Sequence, residues 1–393
     1  MILPKIEKIT RDATISHFFV MFGYKLFSIY YPLFLVARGF SLPEVGYNYL
    51  LIYLPIAAFA PIVGFLNHKI NPAILASLGI LGYGVYALGM IFIQNLLLFY
   101  FWQVLLGISA ALFFASSRAI LMGFPLENYN RAFGWFYSSP FYADAFAPVV
   151  GAFFIWKFDF LGVFILSLVL QFFTAAFCFF RLRKKTIKLV DVGFKFEHLW
   201  QNYQKAFQKI REKIILVPLL VSFSALLLGG FYHSFFVLFL KDLSWSQNQI
   251  LVWGSVFSLV FLPISLFAIR QISKQRSEKN IFYGNSLAGF FSVLLGFFSV
   301  FLNFFSVLFI MIGRAFGGLM TSSGRSGLIS KRLKNYPEEA GAIDTIFSPL
   351  GIAFGALISG LLVGVLGYSF LFIFGGAFVF LAGILGRQWQ QSP

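Results

Sequence analysis

Among the ionisable residues within or at the ends of strongly apolar stretches of this 393-residue chain, six could do chemistry: Lys25, Arg118, Asp144, Arg314, Arg325 and Asp344. Charge in such a setting is costly, so each marks either function or a compulsory partner. Lys25 lies about eleven residues into its apolar run, Arg314 about ten and Asp144 about thirteen, which at 1.5 Å per residue brings all three near mid-membrane depth. Two cations sharing one aqueous space would hold an anion (carboxylate, phosphate or sulfate) through charge-assisted hydrogen bonds. The competing reading neutralises each with an intramembrane carboxylate or backbone carbonyls and leaves it a positional role. Asp144 is a candidate proton-coupling carboxylate, or else a fixed ion pair with Lys25 or Arg314. Asp344, about six residues into its run, is positioned to pair with Arg325 or Arg118 near one membrane face, as a gate latch or as an ordinary interfacial pair. Arg118 and Arg325 each end an apolar run, where a cation suits the helix carboxyl terminus. Their equivalent placement makes them gate candidates too. His17 and His233 read as hydrogen-bonded structure or, alternatively, as a proton relay.

The stretch that carries Arg118 and Asp144, from Leu96 to Trp156, recurs 207 residues later. Ser116/Ser323, Arg118/Arg325, Leu121/Leu328, Leu126/Leu333, Asn128/Asn335, Tyr129/Tyr336 and Gly134/Gly341 are identical at that offset. Seven identities in nineteen positions exceed the roughly one or two expected from average residue usage, so the chain is internally duplicated. A duplicated hydrophobic half is a transporter signature.

Composition sets the class. With 59% hydrophobic, 20% aromatic and 11% charged residues, the chain is a polytopic membrane protein, since a soluble globule carries about 25% charged residues. Apolar runs of membrane length occur at 14–37, 44–66, 71–93, 96–117, 131–155, 160–180, 214–240, 247–268, 279–301, 304–325, 338–364 and 367–386, twelve in all. With the amino terminus inside, twenty-five Lys and Arg fall on the inner side and three on the outer, which predicts both termini cytoplasmic in a plasma (inner) membrane. The net charge of +16 is therefore loop charge facing one membrane side, and nucleic acid is not an expected partner. The basic amino terminus leads into a full-length span without a small-residue cleavage site and reads as the first helix. The single cysteine, Cys178, excludes a disulfide framework and a multi-cysteine metal site.

The long segment 181–213 divides the chain into a bundle at 1–180 and a bundle at 214–393. After its basic start, Phe196, Leu199, Trp200, Tyr203, Phe207, Ile210 and Ile214 recur at helical spacing, which predicts an amphipathic helix at the cytoplasmic surface. It is expected to be a structural tether, with lipid or partner binding as the alternative.

Twelve spans in two related halves joined by a basic loop resemble the major facilitator superfamily. Its fourth helix typically carries Arg, three residues, then a Gly-rich run. Here Gln103-x3-Gly107 takes that place, while the tenth span has Arg314-x3-Gly318. The fifth span carries Ala143-x3-Ala147-Pro148-x2-Gly151-Ala152, a small-residue version of the exporter branch's G-x3-G-P-x2-G-G, with Gly351-x3-Gly355-Ala356-x2-Ser359-Gly360 as its counterpart. The usual G-x-L-x-D-R-x-G-R loop is degenerate: Gly64-Phe65-Leu66-Asn67-His68-Lys69 keeps the glycine but has His68 at the acidic position. The resemblance implies an all-α fold of two pseudo-symmetric six-helix bundles around a cavity lined by helices 1, 4, 7 and 10. Lys25, Tyr24, Gln103 and Arg314 are then the expected substrate residues.

Other chemistry is absent from the sequence patterns. No phosphate-binding Gly-rich loop, zinc-helix His/Glu spacing or Gly-x-Ser-x-Gly nucleophile motif occurs, so neither a cofactor nor enzymatic activity is expected. The resulting expectation is a monomeric secondary active transporter in the lipid bilayer, moving a small molecule by alternating access. Proton-coupled export is the leading form, and import or exchange of an anionic metabolite is the runner-up. A polytopic membrane enzyme or lipid-handling protein is the alternative from another class.

Overall fold

The computed structural model describes residues 4–28, 39, 48–93, 95–187 and 196–391, and the regular structure among these is all helical. In order, the helices are α1 (Lys8–Ser28), α2 (Asn48–Lys69), α3 (Pro72–Ile91), α4 (Leu96–Gly123), α5 (Tyr129–Thr186), α6 (Phe196–Ile210), α7 (Lys213–Asp242), α8 (Gln247–Lys274), α9 (Ser277–Phe297), α10 (Phe304–Arg332) and α11 (Pro337–Gln391). Short polar joints start several of them. Asn71, Asn95 and Asn128 cap α3, α4 and α5 by accepting from backbone N–H groups in the first turn. Ser246 with Gln249, and Asn303 with Ser306, form capping boxes at α8 and α10.

Two helices are long enough for two crossings each, and one non-helical residue divides each of them. Asp159 (φ 56°, ψ −173°) breaks α5, and Gly367 (φ 75°, ψ 167°) breaks α11. Counted with these breaks, and with α6 set apart, the described segments are consistent with the twelve expected spans. The ends of spans 1 and 2 at 29–37 and 44–47 lie outside the described residues. The basic run after position 180, expected to flank the membrane, stays helical to Thr186, since Arg, Lys and Leu are good helix formers.

The apolar side chains divide into separate cores. Val20, Leu26, Phe27, Ile80, Phe113 and Phe164 pack together in the first half, and Phe236, Phe239, Leu240, Val307 and Phe372 in the second. A third cluster draws on both halves and on α6: Leu121, Phe133, Phe136, Tyr203, Ile210, Leu328 and Ile343. It lies at the end where α2, α4, α8 and α10 finish, the end that also carries the basic loops; we call this the basic face. Outward-pointing Phe172, Phe173, Phe301 and Phe305 are at least 60% exposed, the inverse of a soluble protein and the surface that lipid requires. Helix α6 docks Tyr203, Ala206 and Ile210 inward and leaves Trp200 and Phe207 exposed.

Prolines inside these helices free backbone carbonyls, and side chains take them up. Pro140 cannot donate to the carbonyl of Phe136, and the His17 Nδ1–H donates to it instead at 2.8 Å, with its ring stacked on Phe136. Gln390 likewise donates to the carbonyl of Ile214, four residues before Pro218. His17 is thus a helix-to-helix strut between α1 and α5.

Candidate functional site: a central charge cluster above a closed basic face

Two groups of polar side chains stand out, one at mid-depth and one at the basic face. At mid-depth, Lys25 on α1 pairs with Asp144 on α5 and also donates to the carbonyl of Pro140 at 3.2 Å. Neither partner is sealed away: the side chains are 19% and 38% exposed. From the second half, Arg314 on α10 lays its guanidinium 3.4 Å from the centroid of the Tyr232 ring on α7. The Tyr232 hydroxyl donates onward to Ser292 at 3.0 Å. Arg314 makes no ion pair with a carboxylate among the described residues, and its buried Nε has no hydrogen-bond partner. His233, one residue beyond Tyr232, is exposed yet within electrostatic reach of both Arg314 and Lys25, which puts it on the wall between the halves. Added side chains at Gly229 and Gly318, one turn from His233 and Arg314, would meet open space.

Tyr24 and Gln103 sit differently. Tyr24 packs edge-on to Phe27 and Tyr83 on the flank of α1. Gln103 is fully buried, with its Oε1 accepting from Tyr86 at 3.4 Å and its Nε2 unpartnered. The structure therefore pairs Lys25 with Asp144 and sets His233 within electrostatic reach of both Lys25 and Arg314, with Tyr24 and Gln103 held in helix packing. Two apolar surface grooves, of about 650 Å³ between α7 and the end of α11 and about 450 Å³ beside the α5 bend, contain no ionisable residue.

At the basic face, Asp344 on α11 receives both symmetric arginines. Arg325 Nε lies 2.8 Å from its Oδ1 and Arg118 Nε 3.2 Å from its Oδ2. Ser326 donates to Oδ2 at 2.6 Å, Tyr137 hydrogen-bonds the same oxygen at 3.2 Å, and Arg118 Nη1 donates to Thr345 at 2.6 Å. Arg118 and Tyr137 come from the first half and the others from the second, so this network ties the halves together. Around it, Asn128 donates to the carbonyl of Ser273, Ser277 donates to Asn130 Oδ1, and His68 Nε2 lies 2.9 Å from Glu339 Oε1. Glycine lets the backbones touch here: a Cβ on Gly341 would come 2.8 Å from the backbone nitrogen of Ala119. Its repeat mate Gly134 packs on Ile269 of α8. The duplicated stretch is thus the material of the closed face in both halves.

Outside the membrane spans, Asp12 joins Lys185 at 2.6 Å and Arg11 at 3.0 Å. Burial opposes its charge, but these two cations outweigh burial and hold its carboxyl below the usual aspartate range. On α6, burial pushes the Tyr203 phenol up, and the neighbouring carboxylates of Glu339 and Glu338 add to the effect. Glu338 and Glu339 do not figure among the intramembrane charges singled out in the sequence because they stand at the very start of the 338–364 run, beside a polar joint. The one signal pointing to them was His68 at an ordinarily acidic position.

Comparison with known proteins bears on this arrangement. No curated protein sequence matches the chain. Its backbone resembles the crystal structure of the human organic anion transporter MFSD10 (TETRAN), with a TM-score of 0.75 at 12% identity, covering 96% of this chain and 99% of that one. It also resembles a bacterial homologue of the iron transporter ferroportin in its outward-facing state, with a TM-score of 0.70 at 14% identity, covering 98% of this chain and 100% of that one. These likenesses concern the fold alone. The sequence itself matches the profile of the Major Facilitator Superfamily over residues 13–341, more than four fifths of its length, and together with the duplicated helical halves this shows that the chain belongs to that superfamily.

Proposed function

We propose that this membrane transporter carries a small organic anion by alternating access, with a proton moving through Asp144 as the coupling ion. Arg314 carries the anion reading. It is a mid-span guanidinium without a carboxylate partner among the described residues, steadied by the face of Tyr232 and bordered by open space at Gly318. Such a group offers a fork of donors to a carboxylate or phosphate. Lys25 is already matched by Asp144, so protonation of Asp144 frees Lys25 to hold a second substrate oxygen. In this scheme one proton and one anion occupy the site together. The likeness to an organic anion transporter agrees with the choice of cargo.

The membrane-facing layout supports the rest. We place the basic face in the cytoplasm of an inner membrane, with bundles at 1–180 and 214–393 joined by 181–213. The form described here is closed on that face by the Asp344 network, so substrate reaches Arg314 from the other side. The test is transport in proteoliposomes under an imposed pH gradient, scanning organic anions against organic cations. Anion movement should follow the gradient and fall about tenfold or more in Arg314→Gln, as expected for loss of a charge-assisted hydrogen bond. Asp144→Asn should bind anion yet lose gradient-driven accumulation. Cation transport unaffected by Arg314→Gln would overturn the anion reading.

A further inference from the structure

We propose that His68, Glu338 and Glu339 form a binding site for a divalent transition metal, of the Zn²⁺ or Mn²⁺ class, spanning the closed basic face. His68 ends α2, whereas Glu338 and Glu339 open α11, and one ligand atom of each lies within 4.8 Å of the others. Their side chains are 10%, 6% and 0% exposed. A nitrogen and an oxygen bound to one zinc ion stand at most about 4.2 Å apart and about 3.4 Å apart in tetrahedral geometry, so sub-ångström side-chain shifts complete the set.

Three details point to an ion, beyond mere proximity. Both ring nitrogens of His68 face carboxylates: Nε2 lies 2.9 Å from Glu339 Oε1 and Nδ1 lies 3.9 Å from Glu338 Oε2. The first distance is a hydrogen bond, but the second is too long for one and matches two atoms sharing a metal. Two buried carboxylates flanking one imidazole gather negative charge, which a bound cation offsets. In addition, Glu339 is fully buried and its Oε2 accepts no hydrogen bond, an unmet valence within the cluster. Asn202 on α6 donates to Glu339 Oε1 at 3.1 Å, the kind of outer contact that fixes a ligating carboxylate.

The donor set selects the ion. One imidazole nitrogen with two carboxylates suits zinc, manganese or ferrous iron better than calcium or magnesium, which prefer oxygen alone. Two carboxylates also match the charge of a divalent ion. Because the ligands come from opposite halves, a bound ion holds the basic face shut. That consequence rests on the alternating-access reading, whereas the site itself does not.

The test titrates chelator-stripped, full-length protein in detergent with Zn²⁺ alone, by calorimetry and by thermal unfolding. The wild type should take up one equivalent and unfold at a higher temperature, and Glu339→Gln and His68→Gln should each weaken binding about tenfold or more. Glu338→Gln is the independent variant if His68→Gln does not fold. Equal zinc binding in the wild type and all folded variants, or none in the wild type, overturns the site. Zinc that binds as expected but leaves proteoliposome transport unslowed overturns only the lock.

Discussion

Asp344 carries one negative charge against two guanidinium groups, and none of the three side chains is more than 5% exposed. Removing that charge strands two buried cations, a change that costs about 3–5 kcal/mol where one member of a buried pair is lost. Asp344→Asn should therefore lower the unfolding temperature sharply. Adding Arg118→Gln should restore part of the loss, because only one cation then remains unmatched. Full stability in the single variant would show that the network holds nothing together. Asp12 makes a pH-dependent contribution outside the membrane spans, its own carboxylate buried but its partners Lys185 and Arg11 partly exposed. Its folded value lies below the ordinary 3.8, so its ion pairs with Lys185 and Arg11 stabilise the fold fully above that pH. The contribution is lost as pH falls through the depressed value, and Asp12→Asn should flatten the acid limb of a stability-against-pH curve. At this scale the sequence made Asp344, Arg118 and Arg325 visible because an intramembrane charge must find a partner at its own depth. It left His68 and Glu339 invisible as a pair, since they are 271 positions apart and only the packing of α2 on α11 joins them.

The helices themselves were legible from apolar run length, and their duplication from the 207-residue offset. The breaks in α5 and α11 were legible only as gaps between spans, and the residue that makes each turn was not. Gly367 adopts its φ of 75° without a Cβ penalty, whereas Asp159 holds φ 56° with ψ −173°, a region almost reserved for glycine. Propensity gives no hint that aspartate would fill it. Asp159→Gly should stabilise the protein by about 1 kcal/mol, and Gly367→Ala should destabilise it by about 1–2 kcal/mol, as left-handed backbone costs an ordinary residue. Space is not the reason at Gly367, where a Cβ meets nothing within 4 Å, so the pair isolates backbone conformation from packing. Thermal unfolding of both variants with the wild type checks the signs. Close packing, by contrast, was readable from small residues. Gly151 admits the carbonyl of Leu26 and Gly355 that of Leu227, where a Cβ would stand 1.8 Å and 2.0 Å away. The small-residue stripes of spans 5 and 11 thus do the same work in each half, α1 against α5 and α7 against α11.

For the molecule as a whole, the closed basic face is the feature that the proposed alternating-access cycle must undo. Many of the hydrogen bonds there between the halves involve the duplicated stretch, among them Arg118 with Thr345, Tyr137 with Asp344, Asn128 with Ser273 and Asn130 with Ser277. The Lys25, Asp144 and Arg314 side chains are partly exposed, and in the proposed alternating-access cycle release of substrate on the basic side requires these contacts to part. A covalent bond across the face should therefore arrest transport without harming the fold. Asn130 and Ser277 suit the purpose, because Ser277 Oγ lies 2.8 Å from Asn130 Oδ1 and the native Cys178 is fully buried. Oxidised Asn130→Cys/Ser277→Cys protein should still bind anion at Arg314 from the opposite side, should lose proteoliposome transport, and should recover it on reduction. Each single-cysteine variant should transport in both conditions. Transport at the wild-type rate by the oxidised pair, with the disulfide verified by mass spectrometry, would mean that the halves do not rock apart here. Substrate would then have to pass by a route that leaves the duplicated stretch in place.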